Sequence, residues 1–235
     1  MEMSVLAPQK VKTYFKKDYF EQQSWEKGQT VVGLDEVGRG CLAGPLVTAA
    51  VMLPCNKTHR QLKDSKLLTG QKREKAFAWI VKHCRYALGI VDHRVIDSVN
   101  IWHATLVAMR KATLHLLAVC PRPSVILTDA MPLSLSGTAH TDIPVHYFIN
   151  GERKSSSIAA ASIVAKVVRD NLMKQFDPLF PYYQLRMHKG YATKIHQDAL
   201  ITHGQSLIHR SSFMFDGMHV VSDNREFGYE QQSLC

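Results

Sequence analysis

No apolar run in this chain of 235 residues approaches the ~20 residues that a membrane-crossing helix needs. The N-terminal stretch also lacks the basic-then-apolar pattern of a secretory leader. A soluble, cytoplasmic protein with no membrane partner is the expectation. Cysteine is sparse and unpaired in pattern: five residues, at 41, 55, 84, 120 and 235, with no Cys-x-x-Cys spacing. An odd number so spread excludes a disulfide framework and a Cys-x-x-Cys zinc site, and fits a reducing compartment. There is no internal repeat or low-complexity tract, which excludes solenoids and linker-like chains. Acid is in short supply: 20 Asp and Glu face 29 Lys and Arg, for a net charge of +9. Excess base favours a polyanionic partner through steering and counterion release. Much of it is local, at Lys57, Arg60, Lys63, Lys66, Lys72, Arg73 and Lys75, and again at Arg186, Lys189 and Lys194 around Tyr191.

What is present is enough apolar residue, 46%, for one substantial core. Apolar runs predict strands at 30–35, 46–53, 86–91, 124–128 and 145–149, and periodicity predicts helices near 69–84, 101–118, 155–176 and 192–203. Three early strands followed by strands separated by helices imply an α/β sheet with an antiparallel and a parallel part. The clearest helix runs from Ser155 to Phe176, with serines at 155–157 as N-caps and Ile158, Ala161, Ala165, Val168, Leu172 and Phe176 on one face. Residues 1–29 read as an extension, a short helix or a loosely held arm. Residues 30–213 read as the main domain, and 214–235 as a peripheral or disordered tail.

The most informative stretch is 31–45, where an apolar run ends in adjacent carboxylates, Asp35 and Glu36, directly before Gly38-Arg39-Gly40. Charges at the end of a buried strand must be solvated, paired or bound to cations. A turn-capping acidic pair is the ordinary reading. The glycines also match a loose dinucleotide fingerprint, but that needs a helix opening at the second glycine. Gly44-Pro45 and a second apolar strand follow instead, so the dinucleotide reading fails on context. Ser124-Val-Ile-Leu-Thr-Asp129 is another apolar strand ending in an acid. Two such strands can bring their carboxylates to one sheet edge, where open α/β sheets bind ligands.

Asp35-Glu-x-Gly-Arg-Gly-x-Leu-Ala-Gly-Pro45 resembles the first signature of the ribonuclease HII (type 2 ribonuclease H) family. Five later segments resemble its other blocks in family order: Leu62–Leu68, Asn100–Met109, Ser157–Asp170, His188–His196 and His209–Phe213. The resemblance implies a ribonuclease H-like mixed five-stranded sheet flanked by helices, with a helical C-terminal portion. It also implies four metal-binding catalytic carboxylates. Asp35, Glu36 and Asp129 match directly, although Ala130 stands where the family more often has glycine. Glu152 takes the fourth place, in Gly151-Glu152 where the family pattern is Gly-Asp. Asp170, four residues after Lys166, reads as a helical ion pair instead. Gly38, Arg39 and Gly40 are implied to meet the ribose 2′-hydroxyl with backbone groups, and Tyr191 to stack on the neighbouring sugar. Lys66 and Lys189 are the implied phosphate contacts.

Without the resemblance, Tyr191 would be an amphipathic core tyrosine, and the lysines solvated surface. His188, His196 and His209 read as hydrogen-bonded structural residues, because hard oxygen ligands select magnesium or manganese. Cys41 reads as a packed thiol. The implied activity is that of a monomeric endonuclease. It hydrolyses the RNA strand of RNA–DNA hybrids and cuts 5′ of ribonucleotides embedded in duplex DNA, with Mg2+ or Mn2+ in a two-metal displacement. Two alternatives stay open: a non-catalytic binder of hybrid or double-stranded RNA, and a different two-metal nuclease on the same fold.

Overall fold

All five expected strands form in one mixed sheet, in a computed structural model that describes residues 6–12, 15–62, 65 and 68–215. A two-residue strand from the N-terminal extension, β1 (Gln9–Lys10), makes the sheet six-stranded rather than five-stranded. The others are β2 (Val31–Val37), β3 (Leu46–Met52), β4 (Arg85–Val91), β5 (Val125–Asp129) and β6 (Val145–Phe148), in the order β1-β6-β5-β2-β3-β4. β2, β3 and β4 are antiparallel neighbours, whereas β5 runs parallel to β2 and β6 parallel to β5.

β3 is buried along all seven residues, which is why it reads as a continuous apolar run. Its alternate side chains feed two cores. Val47, Ala49 and Val51 pack with Ile80, Ala160, Ile163 and Val164 on one side, from α2 (Gly70–His83) and α4 (Ser156–Phe176). Ala50 and Met52 pack with Met109, Ala112 and Leu116 of α3 (His93–Leu117) on the other. A smaller C-terminal layer uses α5 (Leu185–His188) and α6 (Lys194–His203), gathered around Leu42, Met173, Tyr183 and Leu200. Among the described residues no helix is long and apolar enough to cross a membrane.

α4 begins where its serines predict: the Ser155 hydroxyl accepts from the Ile158 N–H at 3.1 Å. Its first ten residues are buried on every side rather than on one stripe. The cause is close approach to β2, since a Cβ on Gly33 would fall 2.1 Å from the Ser157 carbonyl carbon. The extension is also more firmly placed than its sequence suggests. α1 (Tyr19–Trp25) brings Glu21 to accept from Ser157 N–H at 3.1 Å and from the Ser155 hydroxyl. Asp18, just before α1, accepts from Ser156 N–H at 2.6 Å. Two carboxylates thus satisfy the orphan donors at the positive end of a 21-residue helix. Phe20 packs on Phe148 with ring centroids 5.6 Å apart, closing the β6 side.

Two boundaries differ from expectation. β2 continues through Asp35 and Glu36 to Val37 because it pairs with β3 from Val32 to Val37. α3 starts at His93, capped by Asp92, and is broken at Asn100, where φ is 66° and ψ 166°. Residues 216–235, most of the expected tail, lie outside the described residues.

Candidate active site

Parallel pairing of β2 with β5 sets Leu34 opposite Thr128, so Asp35 and Asp129 come next in register at the same end of the sheet. Asp35 is buried, and Glu36 and Asp129 are half-buried. Burial, then the charges of Glu36 and Asp129, push the Asp35 carboxyl well above the ordinary range. The Ser162 hydroxyl and the Glu36 N–H, 2.8 Å away, oppose that rise only in part. Burial lifts Glu36 to about 7 against the pull of Arg39, with Asp129 adding to the rise. Arg39 Nη1 lies 3.5 Å from Glu36 Oε1, while Glu36 Oε2 is buried with no hydrogen-bond partner among the described residues.

Glu152 sits in a single 3-10 turn, Gly151–Arg153, and is 7% exposed. That turn is tied to the third acid, because the Gly151 N–H donates to Asp129 Oδ1 at 2.8 Å. Ala130 follows Asp129 in the left-handed region, φ 53°, a conformation that glycine adopts more readily. Among the described residues no three His, Cys, Asp or Glu side chains already converge as a metal-ligand cluster. The donor set nevertheless suits a hard divalent cation: Asp129 raises both Asp35 and Glu36, one Glu36 oxygen has no hydrogen-bond partner among the described residues, and the chemistry is hard oxygen throughout.

The loop from Gly38 to Pro45 rests on two arginines that are 0% exposed and that the sequence reading passed over as block residues. Arg169 donates to Pro45 O at 2.9 Å, Ala43 O at 3.0 Å and Lys189 O at 2.8 Å. Arg210 donates to Arg39 O at 2.9 Å and twice to Gly44 O, at 3.2 and 2.9 Å. Burial lowers Arg210 only to about 10, so it stays charged at neutral pH. Both guanidiniums address backbone carbonyls, and the loop shape is therefore set from beneath. Gly38, at φ +103°, has no room for a Cβ, which would stand 2.3 Å from Arg169 Nε. At Gly40, by contrast, a Cβ would meet nothing within 4 Å.

Tyr191 is 37% exposed and forms a β-bridge with Cys41. Lys166 Nζ and the Arg169 guanidinium lie over its ring at 5.4 and 5.7 Å. Its hydroxyl is pushed up to about 12, chiefly by burial, so the phenol stays neutral. Burial also raises the Cys41 thiol, consistent with packing rather than nucleophilic chemistry. Lys189, in a left-handed conformation, directs Nζ to Arg186 O while its carbonyl serves Arg169. Lys66 lies outside the described residues. Asp170 forms the expected ion pair, with Lys166 Nζ 2.8 Å from its Oδ1.

The three histidines form one buried network. His196 Nδ1 donates to Tyr191 O at 2.9 Å, so its Nε2 accepts from His209 Nε2–H at 2.9 Å. His209 Nδ1 then accepts from Ser206 N–H at 2.9 Å. His188 stacks on His196 with centroids 4.2 Å apart, donates to Tyr183 O at 2.6 Å and accepts from Gly190 N–H. Every ring nitrogen is used by the neutral form, which makes these structural supports of the Tyr191 segment. Burial depresses His196 to about 4 and His209 to about 3. An unfolded histidine takes up its proton near 6.5. Their contribution is therefore complete above pH 6.5 and is lost as pH falls towards 4. Each excess proton bound by the unfolded chain costs about 1.4 kcal/mol per pH unit. Melting curves of His196→Gln against wild type should show a variant that is weaker at pH 7.5 yet loses less on acidification. Parallel pH profiles would contradict this role. The comparison isolates the histidines from Asp35 and Glu36, whose raised values act in the opposite sense.

Sheet order and strand-end acids define an α/β protein of the ribonuclease H type. A PCNA:RNase HII complex from Archaeoglobus fulgidus contains a chain with the same fold, at TM-score 0.64 and 23% identity over 81% of this chain and 98% of that one. A Bst-RNase HIII solved in complex with Mn2+ matches at TM-score 0.59 and 22% identity, over 75% of this chain and 63% of that one. The chain belongs to the ribonuclease HII family, whose model matches residues 32–215. A ribonuclease HII of Lactobacillus acidophilus is 42% identical over 206 residues, 87% of this chain and 79% of the relative. Membership carries the general activity: an endoribonuclease acting on the RNA of RNA–DNA hybrids.

Proposed function

We propose that the protein cleaves hybrids and also cuts 5′ of single ribonucleotides in duplex DNA, using divalent cations held by Asp35, Glu36, Asp129 and Glu152. We place the catalytic unit at residues 30–213. The observation that carries the reading is the placement of Asp35, Glu36 and Asp129 at one end of paired strands, where burial and the Asp129 charge raise both Asp35 and Glu36, a concentration of negative charge that a cation would relieve. The metals would supply water activation and stabilisation of the leaving oxyanion. Mg2+ or Mn2+ suits the oxygen donors, and the Mn2+ in the ribonuclease HIII complex agrees.

The chain's own groups have separate tasks. Arg39 neutralises Glu36 in the free protein. The backbone of Gly38, Arg39 and Gly40, exposed at Gly40 and fixed beneath by Arg169 and Arg210, offers the close approach that reading a 2′-hydroxyl needs. Tyr191 presents a ring for the adjoining sugar, and Lys189 and Lys66 supply positive charge for phosphates. With affinity drawn from sugar and phosphate, sequence preference is slight. Cleavage of hybrid and single-ribonucleotide duplex but not all-DNA duplex, and only with Mg2+ or Mn2+, is the expected result. Binding without cleavage under all conditions would return the protein to a hybrid-binding role.

Glu152 tests the fourth place. Glu152→Gln should lower the rate and raise the metal concentration needed for half-maximal cleavage, whereas Glu152→Asp retains much of the activity. Asp170→Asn should cost only stability, about 0.5 kcal/mol for a helical ion pair. Metal-titrated rates decide: an inactive Asp170→Asn beside an active Glu152→Gln would move the fourth carboxylate to Asp170.

A further inference from the structure

Trp102 is exposed at 43%, unlike the buried Trp25. It lies in the first turn after the break in α3 at Asn100, whose Oδ1 caps the new helix by accepting from His103 N–H at 3.1 Å. A non-glycine residue at φ 66° and ψ 166° is strained backbone, of a kind that persists where surrounding structure enforces it. Here the enforcement is visible. Asp97, in the preceding turn, accepts from Ser211 N–H at 2.9 Å and Ser212 N–H at 3.0 Å. The neighbouring Arg210 donates to Arg39 O. The break and the Gly38–Cys41 turn are thus held to one frame, and the Arg39 guanidinium carbon stands 6.0 Å from the Trp102 ring centroid.

A lone exposed apolar side chain needs no explanation. Trp102 differs in carrying a cation against its ring and in sitting beside the residue that pairs with Glu36. Tyr191 shows the same combination: an exposed ring, cations over it, and a contact with the same turn through Cys41. We propose that Trp102 and the Arg39 side chain form a second substrate platform, with the indole packing on a sugar of the duplex backbone and the guanidinium taking the adjoining phosphate. Arg39 then has two states, paired with Glu36 in the free protein and with phosphate in the complex. The proposal rests on the hybrid-cleaving function above and extends it to a side-chain contact outside the acid site.

The test measures binding with a fluorescently labelled RNA–DNA hybrid in EDTA, so that no cleavage occurs. Trp102→Ala should weaken binding about tenfold, a loss of about 1.4 kcal/mol. Trp102→Phe, which keeps a ring, should stay within about threefold of wild type, about 0.7 kcal/mol. Hybrid should quench the tryptophan emission of the wild type, and the quench should vanish in Trp102→Phe. Wild-type affinity and an unchanged quench in the variants would overturn the platform and leave the cleavage reading intact. Failure of the wild type to bind hybrid at all would overturn both.

Discussion

Asp35→Asn or Asp129→Asn should abolish cleavage and at the same time raise the melting temperature of the metal-free protein. The two effects have one cause. Asp35 is buried against Glu36 and Asp129, so its charge is held at a cost in the absence of a cation. Replacing a carboxylate by an amide removes that repulsion at nearly constant volume. About 1–2 kcal/mol of relief would lift the midpoint by roughly 2–8 °C in a chain of this size. Catalysis moves the other way, because the lost charge belongs to the proposed cation site. A thousandfold fall in rate corresponds to about 4 kcal/mol of lost transition-state stabilisation. Calorimetry in EDTA with a cleavage assay in Mg2+ reads both. Activity within tenfold of wild type would remove the residue from the site, and a lower midpoint would show that its charge is matched within the fold.

Gly38→Ala and Gly40→Ala, two residues apart, should fail in different ways. At Gly38 the new methyl would displace Arg169 Nε from 2.3 Å, in a backbone conformation that an L side chain resists. Arg169 has nowhere to go, being fully buried and bonded to three carbonyls. Strain and broken buried hydrogen bonds together should cost roughly 2–5 kcal/mol. Gly40 has open space around it, so its alanine variant should melt within about 0.5 kcal/mol of wild type. That space is where the ribose is proposed to approach, and Gly40→Ala should slow cleavage of single-ribonucleotide duplex at least tenfold. A stable, fully active Gly40→Ala would show that the ribose is read elsewhere. An equally stable Gly38→Ala would show that Arg169 does not shape the loop.

The legible parts of the molecule are those whose determinants are close together in sequence. α4 is announced by its cap serines, β2 and β5 by apolar runs that end in acids, and β3 by a continuous apolar run directly after Gly44-Pro45. Asp35, Glu36 and Asp129 could be drawn to one sheet edge because parallel strands carry their ends together. What escaped depends on distant partners. Arg169 and Arg210 look like surface charges until their carbonyl acceptors, 124 to 171 residues away for the Pro45, Ala43, Gly44 and Arg39 contacts, are known. Asp18 and Glu21 look like part of a loose arm, yet they cap a helix more than 130 residues further on. The start of α3 was missed because Asn100 interrupts it, and a break enforced through Ser211 and Ser212 leaves no local signal. β1 is too short to have a pattern at all.

The most direct test of the cation site is a Mn2+ titration of the protein bound to a cleavage-resistant hybrid, followed by electron paramagnetic resonance, in wild type, Asp35→Asn and Asp129→Asn. Both variants should still bind hybrid, and each should hold fewer Mn2+ ions, or hold them at least tenfold more weakly, than the wild type. Equal Mn2+ binding by all three proteins would show that the acids at the ends of β2 and β5 are not the cation site.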